Sequence, residues 1–319
     1  MNTQMGFGAI ERIQKPQDIL IGSFTPTIPV VTPTVYMPVY AVAIESQHQT
    51  PSCGAHAGDM AKNLLETGFR GSPEYLWKEI RLLDGLTPDD GCNMLTIMQV
   101  LSSKGICSFN VLPNDTTVPN SVYADPKTLT SSMDLDASNH KIGVYAFAFN
   151  PTFQQIKDAI FTHKSVIMLL RVGSEFWTDK NGVSTWTESG ILPLSPNKPI
   201  TSGHFVVAYA FDANYIYFYN SWSDQWGRIG IGYFGIDYSS RCVEIGTMVN
   251  LTINKYIFTK TLRLGSTGFD VKQLQTKLGI TADGIFGANT KKAVIVFQLL
   301  HYLVGDGIVG INTNKALNL

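Results

Sequence analysis

Apolar residues recur at helical spacing in the first half of the chain and in short continuous runs in the second. After Cys53 the stretch GAHAGDMAKNLLETGF puts Ala57, Met60 and Leu64 on one face, which predicts a helix. Further helices are expected over residues 72–83 and 92–104; the latter carries apolar Leu95, Met98, Val100 and Leu101, and Gly105 supplies its stop. From about residue 140 the texture changes. KIGVYAFAF, KSVIMLLRV, HFVVAYAFD, YIYFYNSW and RIGIGYF are β-branched and aromatic runs broken by turn residues, and each predicts a strand. Helices followed by strands predict an α+β fold of two unlike halves with a cleft between them. Ahead of this, residues 1–24 read as irregular. Residues 25–38, with four prolines among β-branched residues, read as an extended lead-in.

Near residue 255 the strand pattern stops and the chain repeats itself. DGIFGANTKKA begins at Asp283 and DGIVGINTNKA at Asp306, 23 residues later, with eight of eleven positions identical. In each copy Asp-Gly predicts a turn and Asn-Thr a helix start. Ala293, Val296, Phe297 and Leu300 share one face of the first of these helices, and an earlier helix over 270–278 offers Val271, Leu274 and Leu278. Three short helices with tight turns are expected to form a small domain.

Composition narrows the class. At 319 residues, 44% hydrophobic and 15% charged, the chain can build a sizeable core. A net charge of −1 gives no reason to expect a nucleic-acid partner. Residues 256–319 hold seven Lys or Arg against three Asp, a surplus of four positive charges that would favour an anionic surface. No stretch of about 20 apolar residues is present, so no membrane span is expected. The opening MNTQMGFGAIERIQ lacks a basic start followed by an apolar run, so no secretory signal is expected either.

Four cysteines, Cys53, Cys92, Cys107 and Cys242, are too few for a disulfide scaffold. The helix predicted after Cys53 begins at or just after that residue. A helix N-terminus, a nearby imidazole and a group to hold that imidazole are what turn a thiol into a nucleophile. The segment SGHFVVAYAFDANYIYFYNSWSDQWG puts His204 early in one strand and Asn220 at the end of the next, 16 residues on, so their side chains can meet at one sheet edge. His48, Cys53 and His56 also suggest a metal set with Cys92 or Cys107, but no second close ligand pair exists and no metal or cofactor is expected. Cys92, Cys107 and Cys242 read as small core residues, and His56 as a helix-face residue near the cleft.

These motifs resemble the papain family of cysteine peptidases over about residues 14–255. Gln47 stands six residues before Cys53, the Cys53 segment QHQTPSCGAHA opens a helix, and Asn220-Ser221-Trp222 followed by Trp226-Gly227 repeats the family's N-S-W…W-G spacing. LDGLTPDDGCNMLTIMQVLSSKGIC looks like the inter-helix stretch of bacterial and viral members. The resemblance implies a two-lobed fold in which Cys53 attacks the scissile carbonyl, His204 shuttles the proton, Asn220 holds the imidazole, Trp222 shields that hydrogen bond, and Gln47 with the Cys53 N–H forms the oxyanion hole. Wall hydrolases of the NlpC/P60 and CHAP types also run Cys before His, but lack N-S-W…W-G. The sequence departs from the family pattern at Gly54, where an aromatic residue is usual, at Thr50, where many members have a disulfide cysteine, and at Met94-Leu95, where many have Gly-Gly. The N-terminal lead is shorter than the usual inhibitory prosegment; the enzyme is made active or uses residues 1–40 as a short plug.

Residues 259–319 resemble the three-helix peptidoglycan-binding domain of wall hydrolases, through L-R-x-G-x-x-G-x-D-V-x-x-L-Q and D-G-x-F-G-x-x-T. The expected layout is a lead over 1–40, a peptidase domain over 41–255 and a wall-binding domain over 259–319. The implied function is a peptidase acting on peptidoglycan stem peptides, as a phage-type lysin or virion-carried wall hydrolase that reaches the wall by release. A protein-directed peptidase tethered at the wall, or a silent wall- or virion-binding adaptor, are the alternatives.

Overall fold

In the computed structural model, the described residues are 8–21, 31–40, 42–176, 199–250, 260–278, 280–300 and 303–317. Parts of the expected lead-in, including residues 25–30, lie outside them. The chain divides into two compact units, Met1–Leu251 and Thr252–Leu319.

The first unit begins its regular structure with α1 (Cys53–Leu65), α2 (Pro73–Asp84) and α3 (Met94–Ser103). Side chains set where α2 and α3 start. Ser72 caps α2 by accepting from the Tyr75 N–H, with Pro73 in the first turn, and Gly85 ends it in the left-handed conformation. Asn93 caps α3 by accepting from the Thr96 N–H. Two short helices, α4 (Asn120–Tyr123) and α5 (Ser131–Ser138), follow.

The second half holds strands β1 (Ile142–Phe149), β2 (Val166–Val172), β3 (Ser202–Phe211), β4 (Ile216–Tyr219), β5 (Ile231–Phe234) and β6 (Cys242–Asn250) in one six-stranded antiparallel sheet ordered β1-β6-β2-β3-β4-β5. Its central strands are apolar on both faces. Ile167, Leu169, Phe205 and Val207 face a core shared with α1, α2 and α3. Val166, Met168, Val206 and Ala208 face a second core with α6 (Phe153–His163). Neither α6 nor β6 is among the expected elements, so the β half is not purely strand. The α6 helix starts from a capping box in which Thr152 and Gln155 satisfy each other's backbone N–H groups.

Among its described residues the second unit has three helices, α7 (Phe269–Lys277), α8 (Ala288–Leu300) and α9 (Ile311–Ala316), around Leu262, Val271, Leu274, Phe286, Val294 and Val309. The repeat reaches further back than its two eleven-residue blocks. Gln275 Nε2 donates to Asp283 Oδ1 (2.6 Å) and Thr290 Oγ1 (3.0 Å), while its Oε1 accepts from the Gly284 N–H (2.8 Å). Gln298 does the same with Asp306 (2.8 Å), Thr313 (2.9 Å) and Gly307 (2.9 Å). Gly284 and Gly307 have φ of 77° and 72°, so each Asp-Gly turn needs its glycine. Both glutamine side chains are buried, and removing one strands its partners. Gln275→Ala is expected to lower this unit's opening free energy by about 2 kcal/mol. Hydrogen exchange at the amides of 284–290 in the full chain measures this; unchanged protection would contradict it.

Candidate active site

Cys53 is the first residue of α1, a helix buried along most of its length. Its thiol lies where the helix N–H groups converge. Burial pushes it up to about 12, against the downward pull of backbone N–H bonds from Phe205, Gly8 and Gly54. Phe205 follows His204 on β3, so the helix start and the histidine's strand meet at the sulfur.

His204 and Asn220 come from β3 and from the residue after β4, strands joined by a short turn. His204 Nε2 lies 2.7 Å from Asn220 Oδ1, which also accepts the Ser221 N–H at 2.8 Å. A backbone donor on that atom identifies it as the oxygen, so Nε2 carries the proton and Nδ1 is left as the base. Burial pulls the imidazole down to about 4, although its bond to Asn220 favours the charged form. Trp222 lies beside the ring with centroids 4.9 Å apart, and Phe176 meets it edge-on at 5.7 Å. Trp226 Nε1 donates to the Phe176 carbonyl at 2.7 Å, fixing this wall. Phe176 is a part of the site that no sequence motif marked.

Gln47 reaches the same place from the other side. Its backbone N–H donates to the Ser221 carbonyl (2.8 Å), its Oε1 accepts from Ser221 Oγ (2.5 Å) and its Nε2 donates to the Thr50 carbonyl (2.9 Å). The amide is thus held beside Asn220, with a second N–H by its chemistry.

Gly54 has a local reason. A Cβ there would sit 2.4 Å from Cys92 Sγ and 2.8 Å from Ile97 Cδ1, so α3 and its leading loop occupy the space a larger residue would need. Gly54→Ala is expected to cost about 1–3 kcal/mol, and adding Cys92→Ala to recover most of it. Thermal melts of the two variants check this; equal losses in both would contradict it.

All four cysteines are free and buried, and no Cys92–Cys107 bridge exists. His56 is buried within the helix, its Nδ1 on Ser52 (3.0 Å to the carbonyl) and its Nε2 near Asn114 (3.3 Å), whereas His48 is exposed. Among the described residues no group of three or more His, Cys, Asp or Glu side chains is placed to hold a metal ion. Among them, too, no helix is long and apolar enough to cross a membrane.

Residues 8–10 run between the loop ahead of α3 and the start of β3, where the helical half faces the sheet. The Cys92 N–H donates to the Gly8 carbonyl (2.7 Å), the Ile10 N–H to the Cys92 carbonyl (2.8 Å) and the Ala9 N–H to the Gly203 carbonyl (3.3 Å). The fit is tight, since a Cβ on Gly8 would lie 1.7 Å from the Pro51 carbonyl oxygen. Further along, Leu20 bridges Phe147 on β1, and Arg12 pairs with Asp18 (2.8 Å) and with Glu244 on β6 (2.7 Å).

Comparison with known proteins adds three findings. Residues 267–317 match the family model described as "Putative peptidoglycan binding domain". No curated protein sequence matches the chain. Among solved structures, xylellain, a cysteine protease from Xylella fastidiosa, superposes with a TM-score of 0.66 at 19% identity, over 77% of this chain and 97% of that one. Digestive procathepsin L 3 of Tenebrio molitor larval midgut (TM-score 0.55, 15% identity) covers 77% of this chain and 76% of its own, and proCathepsin B S9 from Trypanosoma congolense (0.57, 12%) covers 77% and 87%. The chain therefore combines the fold of the papain-like cysteine proteases with a C-terminal segment matching a peptidoglycan-binding family.

Proposed function

We propose that this protein is a cysteine peptidase that cleaves peptide bonds of bacterial cell wall by a Cys-His-Asn mechanism. The observation that carries the reading is Cys53 at the start of α1, its sulfur on the Phe205 N–H, with His204 next in the chain and oriented by Asn220. His204 Nδ1 takes the thiol proton and the thiolate attacks the scissile carbonyl carbon. The oxyanion forms against the Cys53 N–H and the Gln47 side chain. His204 returns the proton to the leaving amine as the peptide bond breaks and a thioester remains. Water, deprotonated by the same imidazole, then releases the acid and restores the thiol. Asn220 keeps Nε2–H engaged throughout, and Trp222 with Phe176 keeps water off that bond. With the N-terminal segment across the cleft, burial disfavours the charged forms of both the thiol and the imidazole, and the chain is largely latent with residual turnover.

The match over 267–317 supports the wall as target, and we read the chain as a lysin or virion-carried wall hydrolase. The test is release of new amino groups from purified peptidoglycan beside hydrolysis of casein. Release from the wall supports the reading; casein cleavage without wall release would move the target to protein.

A further inference from the structure

The segment in the cleft carries a charge, and the cleft answers it. Glu11, two residues beyond Ala9, accepts both arms of the Arg171 guanidinium, Nε on Oε1 and Nη2 on Oε2, each at 2.7 Å. This parallel fork is the geometry by which arginine selects a carboxylate over a neutral amide. Arg171 stands out in its strand. In β2, VIMLLRV, every other residue is buried and apolar.

Its register places it by the site. Arg171 pairs with Gly203 across the sheet and the preceding Leu170 pairs with His204. Directly opposed residues share a sheet face. On that face Gly203 has no side chain, and a Cβ there would lie 2.6 Å from the Ala9 carbonyl and 3.3 Å from its Cβ. The glycine therefore leaves a path along which a bound chain passes close to the sheet and then meets the guanidinium.

We propose that Arg171 is a specificity-determining residue that binds a carboxylate of the substrate, and that Glu11 occupies its place in the latent chain. The preferred substrate is an acidic peptide with a small residue over Gly203 and a carboxylate within reach of Arg171. This rests on the peptidase reading, and in a wall substrate the group is a free carboxylate of the stem peptide. Both partners of the fork are half exposed, so solvent limits its worth. The expected preference for a carboxylate over its amide is roughly fivefold to tenfold.

The test uses full-length chains carrying Gly8→Val, which drives the segment off the Pro51 carbonyl and out of the cleft, together with Glu11→Gln, which frees Arg171, with and without Arg171→Gln. Two readouts are taken: kcat/KM on stem peptides with free or amidated carboxylates and on casein-derived acidic peptides and their amidated forms, and binding of fluorescent Gly-Ala-Ile-Glu and Gly-Ala-Ile-Gln peptides after Cys53→Ala. The Gly8→Val, Glu11→Gln chain should favour the free carboxylate in both, the preference should vanish with Arg171→Gln, and Arg171→Lys should restore part of it. An acid-to-amide ratio unchanged by Arg171→Gln would overturn the proposal. A preference seen with casein peptides alone would assign the carboxylate to protein substrates. If no peptide is cleaved, the peptidase reading fails, and the binding ratio still decides whether Arg171 reads a carboxylate.

Discussion

Cys53→Ala is expected to stop hydrolysis, by about 10⁴-fold or more, while leaving the fold standing. The four thiols share burial, and burial raises each of them, Cys107 also to about 12 and Cys92 and Cys242 above their ordinary range. What sets Cys53 apart is the N-terminus of a thirteen-residue helix behind it and the β3 backbone beside it. Removing its sulfur leaves His204 and Asn220 with no nucleophile to serve, and the oxyanion donors with no charge to receive. Cys107→Ala and Cys242→Ala should stay within a fewfold of the parent. Initial rates on peptidoglycan and casein, beside thermal melts, measure both halves of this expectation. Comparable loss in all three variants would reduce Cys53 to a packing residue.

Gly8→Val should act in the opposite direction and activate the chain. A side chain at that position runs into the Pro51 carbonyl, so the segment has to leave. Its departure gives up the bonds of Gly8, Ala9 and Ile10 to Cys92 and Gly203. At about 1 kcal/mol each, three backbone bonds correspond to occupancy shifts on the order of 100-fold. Water then reaches the thiol and the imidazole, and the burial that pushes Cys53 up to about 12 and His204 down to about 4 is relieved. The signs of these shifts predict the pH profiles. In the parent, alkylation of Cys53 should keep climbing through the alkaline range, because the thiol stays protonated there. In Gly8→Val it should already be high near neutral pH and level off. Iodoacetamide labelling followed by peptide mass mapping reads both. Equal labelling rates in the two chains would remove the segment from any inhibitory role.

Much of the fold is readable from local pattern. The β-branched runs at 142–149, 166–172 and 202–211 form strands, and the repeat at Asp283 and Asp306 forms two matching turns. Motif spacing also singled out Cys53, His204, Asn220, Gln47 and Trp222, and the structure places them in one unit around α1, β3 and the end of β4. What escaped the reading depends on contacts distant in sequence. Strand β6 hides its signal because Glu244, which looks like a surface residue, is buried against Arg12 from the far end of the chain. The N-terminal segment has no periodicity of its own, and its place in the cleft comes from backbone bonds to Cys92 and Gly203. Phe176 guards His204 from outside any motif, held by Trp226. Two further signals are local: Thr152 with Gln155, which starts α6, and the 23-residue spacing of Gln275 and Gln298.

The most direct measurement of the central claim is to trap the intermediate. Gly8→Val protein is mixed with soluble stem peptides, quenched in acid within milliseconds to seconds, and its peptides are mapped by mass. The account predicts an acyl group in thioester linkage on Cys53, absent when His204 is replaced by alanine. Turnover of the same peptides with no adduct on Cys53, or with one on a different residue, would contradict it.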